Sequence, residues 1–463
     1  MRVAIIIKFI KKLLRRSSHA RPVIKADYII PRSEHRLSKT DISPNALKVL
    51  NRLVSSGFQA YLVGGSVRDL LIGKVPKDFD VATNATPNEI RQLFKNGRII
   101  GRRFKLVHII FYRDIIEVAT FRGAENNHEN QRANERGMLI RDNVFGSLDD
   151  DAWRRDFTIN SLYYNMQDGS IIDFTGGVQD AKANIIRMIG DPATRYQEDP
   201  VRMLRAIRFA AKLHFKLDPA TAEPIHSLNH LLTHISNARL SDEVIKLYQC
   251  GESKSLQLLL EEYGLFSILF PATNALFNSA YPVSSFIHFA LESTDARIKE
   301  NKPVTPAFLF AVLLWFPLLE TSRLIQEQEQ LSPLGAIEKA MTHVLSEQNR
   351  IVAIPKRLTQ IIREIWLLQF RFSKRTGTRA FHLLDHPRFR AAYDFLALRA
   401  LAGNETLVLA KWWTTFQSAS EQEQQDMVGV LNAASPPKKK RKRKKPSSAS
   451  IVSSAPTITK STE

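Results

Sequence analysis

The sequence predicts an α/β domain, then an all-α half, then a basic tail. Short apolar runs alternate with capped helical stretches and glycines from 41 to about 182, a pattern typical of α/β folds. Strand signals nearly vanish from about 183 to 420, where helical periodicity dominates. After about 421 the chain is rich in Gln, Ser, Pro and Lys and has almost no aromatic residues, which favours disorder.

These patterns divide the chain into five zones. Its length of 463 residues exceeds the ~250–300 residues at which one core stops growing, so more than one domain is expected. The zones are a basic N-terminal extension (1–40), an α/β head (41–182), a helical neck (183–265), an all-α body (266–420) and a disordered Lys/Arg-rich tail (421–463).

The charge and cysteine content narrow the class of partner and compartment. A formal net charge of +20 indicates a polyanionic partner, most simply a nucleic acid. The run KKKRKRKK at 438–445 supplies part of that charge, and the rest is spread over the folded zones. The single cysteine, Cys250, excludes an intramolecular disulfide and fits a reducing compartment.

Two apolar stretches raise the question of a membrane. The stretch AFLFAVLLWFPLL at 307–319 is shorter than the ~20 residues of a membrane span, so it predicts a buried core helix. The N-terminal stretch MRVAIIIKFIKKLLRRSSHARP places apolar residues before the bases, the reverse of a secretory signal. We expect a frayed extension there, with weak association with an anionic membrane surface as the alternative.

The first half of the head contains a glycine turn suited to a phosphate. The stretch QAYLV at 59–63 predicts a strand, Gly64 and Gly65 the turn after it, and Ser66 the cap of a helix that ends near Gly73. Glycines let a ligand approach the backbone closely, and the new helix directs free N–H groups to the same place. The pattern predicts an anion site that fits a triphosphate.

An aspartate pair follows in the stretch KDFDVAT. On a strand, Asp78 and Asp80 would share one face while Phe79 and Val81 face the core. Two neighbouring carboxylates repel each other unless a cation lies between them. Magnesium is the obvious cation, since it prefers hard oxygen ligands and leaves positions open for phosphates.

Four motifs together resemble the class II nucleotidyltransferases of the polymerase-β superfamily, the family of bacterial poly(A) polymerases and CCA-adding enzymes. They are LVGGSVRDLLIGKVPKDFDVATNATP, IIEVATFRG, RRDFTINSLYYN and EDPVRMLRAIRFAAKL. The resemblance extends from about 41 to 417. It implies a polymerase-β-like nucleotidyltransferase head, followed by a neck that binds the nucleotide, its base and RNA, and by an RNA-binding body.

The resemblance also implies a catalytic carboxylate set. Asp78 and Asp80 would hold two Mg²⁺ ions, which activate an RNA 3′-hydroxyl and steady the triphosphate of ATP, the substrate. A third carboxylate usually completes such a site. Glu117, on a strand pattern, and Asp156, where the family has an active-site aspartate, are both candidates, and a structural salt bridge is an alternative role for Glu117.

Other residues would bind the nucleotide. In the family the RRDFTIN segment contacts the ribose, which implies that Arg155, Asp156 and Asn160 recognise the 2′-hydroxyl. Pairing of Arg154 and Arg155 with the aspartates at 149–151 is the alternative.

Arg68 follows the glycine turn by one helical turn and is placed to reach a phosphate. A salt bridge between Arg68 and either Asp69 or Asp78 is the alternative.

The EDPVRMLRAIRFAAKL segment predicts a helix with Asp199 as its N-cap and Pro200 at its first position. The resemblance implies that Glu198, Asp199 and Arg202 read the incoming base by hydrogen bonds, as a protein template. Arg205 and Arg208 continue the same basic face, and three solvated arginines are the alternative interpretation.

The preferred function is template-independent polyadenylation of RNA 3′ ends with AMP from ATP, in RNA processing and decay. The stretch GRRFKLVHI at 101–109, the motifs of the helical half and the basic tail resemble the poly(A) subgroup. CCA addition to tRNA is the alternative, and a catalytically silent RNA-binding protein is the remote one.

Several further expectations follow. We expect single-stranded RNA 3′ ends as the partner, RNA-decay machinery as a candidate protein partner, a monomer and a bacterial cytoplasmic location. The basic tail also mimics a nuclear-import signal, but tethering of RNA is preferred because the resemblance is bacterial.

Overall fold

The structure, a computed structural model, describes residues 25–101, 105–123, 145–403 and 407–433. Its β-strands are β1 Ile29–Ile30, β2 Ala60–Val63, β3 Asp80–Thr83, β4 Gly97–Ile100, β5 Leu106–Phe111, β6 Asp114–Thr120, β7 Leu162–Tyr164, β8 Ile171–Asp173, β9 Ile185–Ile186 and β10 Lys216–Leu217. The first eight form one sheet in the order β1-β8-β7-β2-β3-β6-β5-β4. Within that sheet β3 and β6 run parallel and the other neighbours run antiparallel.

The helices of the head lie before, between and after these strands. They are α1 Pro44–Ser55, α2 Gly65–Leu71, α3 Pro87–Leu93, α4 Leu148–Trp153 and α5 Gly177–Ala183. Short 3-10 turns cover Ala26–Tyr28, Arg32–Glu34, Lys39–Asp41, Thr158–Asn160 and, beyond the head, Asn229–His234.

From Pro192 onward the described chain is helical except for the short strand β10. The helices are α6 Pro192–Glu198, α7 Val201–Leu213, α8 Pro219–Leu228, α9 Asn237–Tyr248, α10 Ser253–Glu262, α11 Leu265–Leu269, α12 Pro271–Asn274, α13 Val283–Lys299, α14 Pro306–Leu313, α15 Trp315–Glu329, α16 Pro333–Ile351, α17 Lys356–Gln369, α18 Arg379–Leu384, α19 Phe389–Leu401, α20 Leu407–Ser418 and α21 Glu421–Ala433. The predicted order of an α/β head and an all-α half is confirmed.

Local sequence explains the sharp beginning of α3. The Thr86 hydroxyl accepts the Glu89 N–H at 3.4 Å, and the Glu89 carboxylate accepts the Thr86 N–H at 2.8 Å. This reciprocal capping box satisfies N–H groups that have no partner inside the helix. Pro87 stands at the first helical position, where its missing N–H costs nothing.

The head packs on both faces of its sheet. One face is covered by a core that includes Val49, Leu50 and Leu53 of α1 together with Val81 and Val118. The other face carries a smaller cluster that includes side chains of β2, β7 and α4. Because both faces are covered, all four residues of the central strand β2 are buried.

The helical half shares its core with the end of the head. Phe157, Ile159 and Ala181 of the head are buried in the same cluster as Leu204 and Ile207 of α7. A separate cluster near the C-terminal end surrounds the buried Trp413. Head and neck therefore share one apolar core.

Two predicted boundaries need correction. The N-terminal extension was expected to reach 40, yet β1 pairs with β8 and joins the sheet from Ile29. Disorder was expected from 421, which is wrong for α21, where Ser420 and Glu423 form a capping box. The N-terminal patch at 1–24 and the basic tail from 434 lie outside the described residues.

The apolar stretch at 307–319 is buried, as predicted, but it is split at Leu314 between α14 and α15. No single helix of the described residues is long and apolar enough to span a bilayer. Together, α14 and α15 reach the length and apolar composition of a span, but the two helices are bent by 49° where they meet.

Candidate active site

Two carboxylates and a histidine lie in one row across the central strands. Val63, the last residue of β2, pairs with Asp80, the first residue of β3, and Asp80 pairs with Glu117 on the parallel strand β6. His108 on β5 is the next residue in the same row, opposite Glu117. Directly paired residues of neighbouring strands project to the same face of a sheet, so this register sets Asp80, Glu117 and His108 side by side.

The predicted alternation holds around Asp80. Val81 inside β3 and Phe79 directly before the strand pack into the core on the far face of the sheet from Asp80. Asp78 is not in the strand, which corrects the prediction that both aspartates lie on it. Since β2 ends opposite Asp80, where Val63 gives way to the glycine turn, Asp78 has no strand residue to pair with. It is exposed, just before β3.

The electrostatics of Asp80 reflect this concentration of negative charge. Burial raises the pKa of Asp80 to about 6, and the neighbouring Glu117 and Asp78 carboxylates add to the increase. The Arg155 guanidinium acts in the opposite direction. Repulsion between like charges and loss of hydration both disfavour the ionised form of Asp80. A cation bound among the carboxylates would offset both effects.

The donor set fits magnesium bound together with a substrate. In the described residues, no group of three or more His, Cys, Asp and Glu side chains is placed to hold a metal ion by itself. Magnesium, however, is commonly held by one or two carboxylates plus substrate phosphates and water. Asp78 and Asp80, with Glu117 beside Asp80, supply hard oxygen ligands of that kind.

The glycine turn lies at the same edge as the carboxylates. Gly64 has φ +71 and ψ −129, a conformation essentially restricted to glycine. A Cβ at this position would lie 3.5 Å from Arg155 Nη1. The predicted Ser66 cap is wrong, because α2 already begins at Gly65 and the Ser66 hydroxyl donates to the Val63 carbonyl at 3.1 Å.

Arg155 is fixed by an aspartate and a tyrosine. Its Nη2 lies 2.9 Å from Asp151 Oδ2, and its Nε donates to the Tyr163 hydroxyl at 3.0 Å. Arg154 also pairs with Asp151, at 2.8 Å. The alternative of a pairing with the aspartates at 149–151 is therefore observed. Burial opposes ionisation of Asp151, but both guanidiniums outweigh it and hold its pKa well below the usual range.

Asp156 belongs to a different cluster from Asp80. Its Oδ2 lies 2.5 Å from Arg205 Nη2, and its Oδ1 accepts the Asn160 amide at 3.2 Å. Burial opposes ionisation of Asp156, but Arg205 outweighs it and holds the pKa of this carboxyl below its usual range. Asp156 and Asn160 are thus brought together, as the ribose prediction requires, and Arg205 pairs with Asp156.

Arg68 contacts Asn160 from the side opposite Asp156. Its Nη1 donates to Asn160 Oδ1 at 2.6 Å, and its Nη2 pairs with Asp69 at 2.7 Å. The alternative of a salt bridge with Asp69 is observed, and the buried Arg68 side chain is 4% exposed. The chain of contacts from Asp69 to Arg205 runs through α2, the RRDFTIN segment and α7, so it links head and neck.

Phe209 stands at the centre of the same junction. The guanidinium carbons of Arg68, Arg205 and Arg208 lie 5.5, 5.5 and 4.9 Å from its ring centroid. Cations over an aromatic face are attracted by its quadrupole. One ring therefore helps to hold three of the predicted nucleotide-binding arginines.

The predicted base-reading residues form a third set. Glu198 accepts from Arg202 at 2.8 Å and from Arg195 at 2.9 Å, while Asp199 accepts from Arg239 at 2.6 Å. Asp199 also accepts the Val201 N–H at 3.3 Å. The N-cap of α7 is Pro200 and the helix begins at Val201, so the prediction of Asp199 as N-cap and Pro200 as first residue is wrong by one position.

Arg195 joins the base-reading set to the ribose segment. Its Nη2 donates to the Arg154 and Arg155 carbonyls, both at 2.7 Å. Leu204, Ile207 and Ala211 form a buried stripe on α7. All the predicted nucleotide-binding residues thus lie in connected clusters around the start of α7 and the glycine turn.

Sequence reasoning missed the residues that hold the predicted ones in place. These are His108, Tyr163, Arg195, Phe209 and Arg239. They are recognised only when distant segments meet.

Three family profiles match the chain. They are described as "Poly A polymerase head domain" over residues 60–187, "Probable RNA and SrmB- binding site of polymerase A" over 214–277 and "Polymerase A arginine-rich C-terminus" over 329–447.

Known proteins extend the match over most of the chain. The chain is 51% identical to "Poly(A) polymerase I" of Salmonella typhi over 420 residues, covering 89% of this chain and 90% of that one. It is 39% identical to the CCA-adding enzyme of Lactobacillus helveticus over 207 residues, only 45% of this chain and 50% of that one. The crystal structure of the Bacillus stearothermophilus CCA-adding enzyme in complex with CTP is similar, with TM-score 0.55, 25% identity and coverage of 81% and 82%.

Proposed function

This chain belongs to the bacterial poly(A) polymerase family, and we propose that it adds AMP from ATP to RNA 3′ ends at the edge formed by Asp78, Asp80 and Glu117. The observation that carries the proposal is the register that places Asp80 opposite both Val63 and Glu117. This register brings the glycine turn that follows Val63 to the same place as the carboxylates.

The similarity to poly(A) polymerases supports polyadenylation over CCA addition. The Salmonella protein matches over 89% of this chain, whereas the Lactobacillus CCA-adding enzyme matches over 45%. Two of the three matching polymerase A profiles, over 214–277 and 329–447, lie in the helical half. The chain is accordingly a polynucleotide adenylyltransferase.

The carboxylates would act by holding two Mg²⁺ ions. When bound, Mg²⁺ lowers the pKa of the RNA 3′-hydroxyl and neutralises charge on the triphosphate. Asp78 and Asp80 are the proposed ligands, and Glu117 beside Asp80 is the proposed third carboxylate. Asp156 is not proposed as a ligand, because its oxygens already accept from Arg205, Asn160 and the Phe157 N–H.

The remaining residues position the nucleotide. The Gly64–Gly65 turn leaves the backbone open to the triphosphate, and Arg155 lies beside it to neutralise phosphate charge. Asp156 and Asn160 are held in one orientation by their partners, which favours a fixed hydrogen bond to the ribose 2′-hydroxyl.

The base would be selected by Glu198, Asp199 and Arg202. A guanidinium and a carboxylate together offer the donors and acceptors that the Watson–Crick edge of adenine requires. The ion pairs of Arg195 and Arg239 with these carboxylates fix their positions before ATP arrives. Such preorganisation reduces the ordering needed when the nucleotide binds.

The other expectations stand as parts of this proposal. The match to an RNA-binding profile at 214–277 supports a single-stranded RNA partner. A cytoplasmic location, a monomeric state and association with RNA-decay machinery stay predictions.

The experiment compares Asp78→Asn, Asp80→Asn and Glu117→Gln with the wild type. Each variant should lower kcat/KM for AMP incorporation into oligoadenylate by more than about 100-fold, since several kcal/mol of transition-state stabilisation depend on the metals. Binding of Mn²⁺, followed by electron paramagnetic resonance in the presence of an ATP analogue, should weaken in parallel. Asp149→Asn, an exposed aspartate on α4, is the matched control. Wild-type activity and Mn²⁺ binding in Asp80→Asn would refute the proposal.

A further inference from the structure

A cavity on the helical body lies between α16, the end of α17 and α18. Its volume is about 480 Å³, within the ~300–1,000 Å³ typical of small-molecule sites. The apolar part of its lining consists of Leu334, Leu367, Leu383 and Phe370. The residues that line the cavity differ from those of the carboxylate edge and lie elsewhere in the sequence. The proposed reaction does not use the cavity.

Phe370 offers one side of its ring to this cavity. The side chain is 36% exposed. Its other side packs on the buried Trp315, with ring centroids 6.1 Å apart and planes at 38°. Trp315 is held in turn by the Arg399 guanidinium, 4.8 Å from its ring centroid. Phe370 is thus a half-open aromatic surface on a rigid support.

Three cations surround the aromatic ring. Arg371, Lys374 and Arg379 line the cavity and are exposed. None of the three forms an ion pair with another described residue, whereas the exposed Arg323, Arg350 and Arg390 of the same half do. Glu338 is the one carboxylate in the lining. The rim therefore carries an uncompensated positive charge.

The basic tail begins beside this rim. The Gly377 N–H, in the loop between Lys374 and Arg379, donates to Asn432 Oδ1 at 2.9 Å. Helix α21 ends one residue later at Ala433, and the eight bases at 438–445 follow soon after in the sequence. Rim and tail have the same sign of charge, so the tail does not complement the cavity, and both attract the same polyanion.

An apolar floor with a half-open aromatic ring, surrounded by unpaired cations, matches the chemistry of single-stranded RNA. Bases stack on aromatic side chains whatever their sequence, while cations track the phosphates. We propose that this cavity binds a nucleobase of the RNA substrate upstream of its 3′ end, stacked on Phe370, with the flanking phosphates held by Arg371, Lys374 and Arg379. The inference rests on the proposed function, because it takes RNA as the substrate.

The test measures RNA affinity and activity in the full-length protein. Fluorescence anisotropy of a labelled oligoadenylate of about 20 nucleotides gives the affinity. This length exceeds the ~4–16 nucleotides that one OB-fold binds in single-strand-binding proteins. We expect Phe370→Ala to weaken binding on the order of 10-fold and to raise KM for RNA while KM for ATP stays unchanged. Phe370→Tyr, which keeps both the stacking surface and the packing on Trp315, should bind as the wild type does.

The rim is tested separately, because Phe370→Ala also removes packing from Trp315. Arg371→Ala, Lys374→Ala and Arg379→Ala change exposed side chains and should fold normally. Each should weaken RNA binding and lower the slope of log affinity against log salt by about 0.7 per lost phosphate contact. Arg350→Ala, at an exposed paired arginine, should change neither.

The outcomes separate this inference from the proposed function. If the wild type adds AMP to RNA but the Phe370 and rim variants bind RNA as tightly as it does, the inference is wrong and the cavity is left for a protein partner. If the wild type adds no AMP while the variants still lose RNA affinity, the cavity binds RNA and the proposed function fails.

Discussion

The ion pair between Asp156 and Arg205 joins the head to the neck, and Asp156→Asn tests what it contributes. The substitution keeps the shape of the side chain and removes its charge. In the wild type the Asp156 carboxylate is 11% exposed, and Oδ2 accepts from Arg205 Nε at 2.7 Å and Nη2 at 2.5 Å. The variant would leave the guanidinium, 33% exposed, without its counter-charge.

The expected cost is about 2–3 kcal/mol in the free energy of unfolding. Removal of one partner from a fully buried pair costs ~3–5 kcal/mol, and the partial exposure of Arg205 lowers that figure. The pKa of Asp156 is depressed in the folded state, so its stabilising effect is present above the unfolded pKa and lost as the pH falls through the folded pKa. The difference between variant and wild type should therefore shrink below about pH 4.

Urea unfolding followed by circular dichroism at pH 7 and at acidic pH measures this difference. Glu117→Gln is the control, because Glu117 is 43% exposed and pairs, among the described residues, only with His108, at 3.4 Å. Its free energy of unfolding should stay within about 0.5 kcal/mol of the wild type. A variant Asp156→Asn as stable as the wild type at pH 7, or one whose deficit does not depend on pH, would refute the reasoning.

Three further predictions concern the turn, the support of Arg155 and the tail. Gly64→Ala should lower the free energy of unfolding by about 1–3 kcal/mol, because the backbone conformation of Gly64 excludes a side chain. It should also raise KM for ATP. An unchanged free energy of unfolding and an unchanged KM would contradict this account. Tyr163→Phe should cost about 1–3 kcal/mol, measured by urea unfolding, because Asp151 loses a hydroxyl donor at 2.7 Å; an unchanged unfolding midpoint would argue against that role. Truncation after 433 should weaken RNA binding and reduce its salt dependence while kcat on saturating RNA is retained, and an unaltered salt slope would show that the eight bases at 438–445 do not contact RNA.

Local sequence patterns are enough to predict features that depend only on neighbouring residues, such as strand alternation and helix caps. The alternation of Asp80 with Phe79 and Val81 follows from the period of a strand, and the Thr86 cap from its spacing to Glu89. Helix α21 carries the same kind of local pattern, the capping pair Ser420 and Glu423, within a tail whose overall composition favours disorder.

The remaining features of the site depend on contacts between segments that are far apart in the chain. The choice between Glu117 and Asp156 depends on the parallel pairing of β3 with β6 and on the approach of Arg205 from α7. Neither is readable from a window of sequence. The same holds for Phe209 and for the cavity beside Phe370, since both are assembled from helices far apart in the chain.

The measurement that tests the central claim most directly is primer extension by the purified protein with Mg²⁺. A generic single-stranded RNA and a tRNA that lacks its 3′ CCA are each offered ATP alone, CTP alone, or both. We predict long ladders from ATP on both RNAs with little use of CTP. Addition confined to the tRNA and limited to C, C and A would contradict polyadenylation, and absence of any extension would contradict catalysis by Asp78, Asp80 and Glu117.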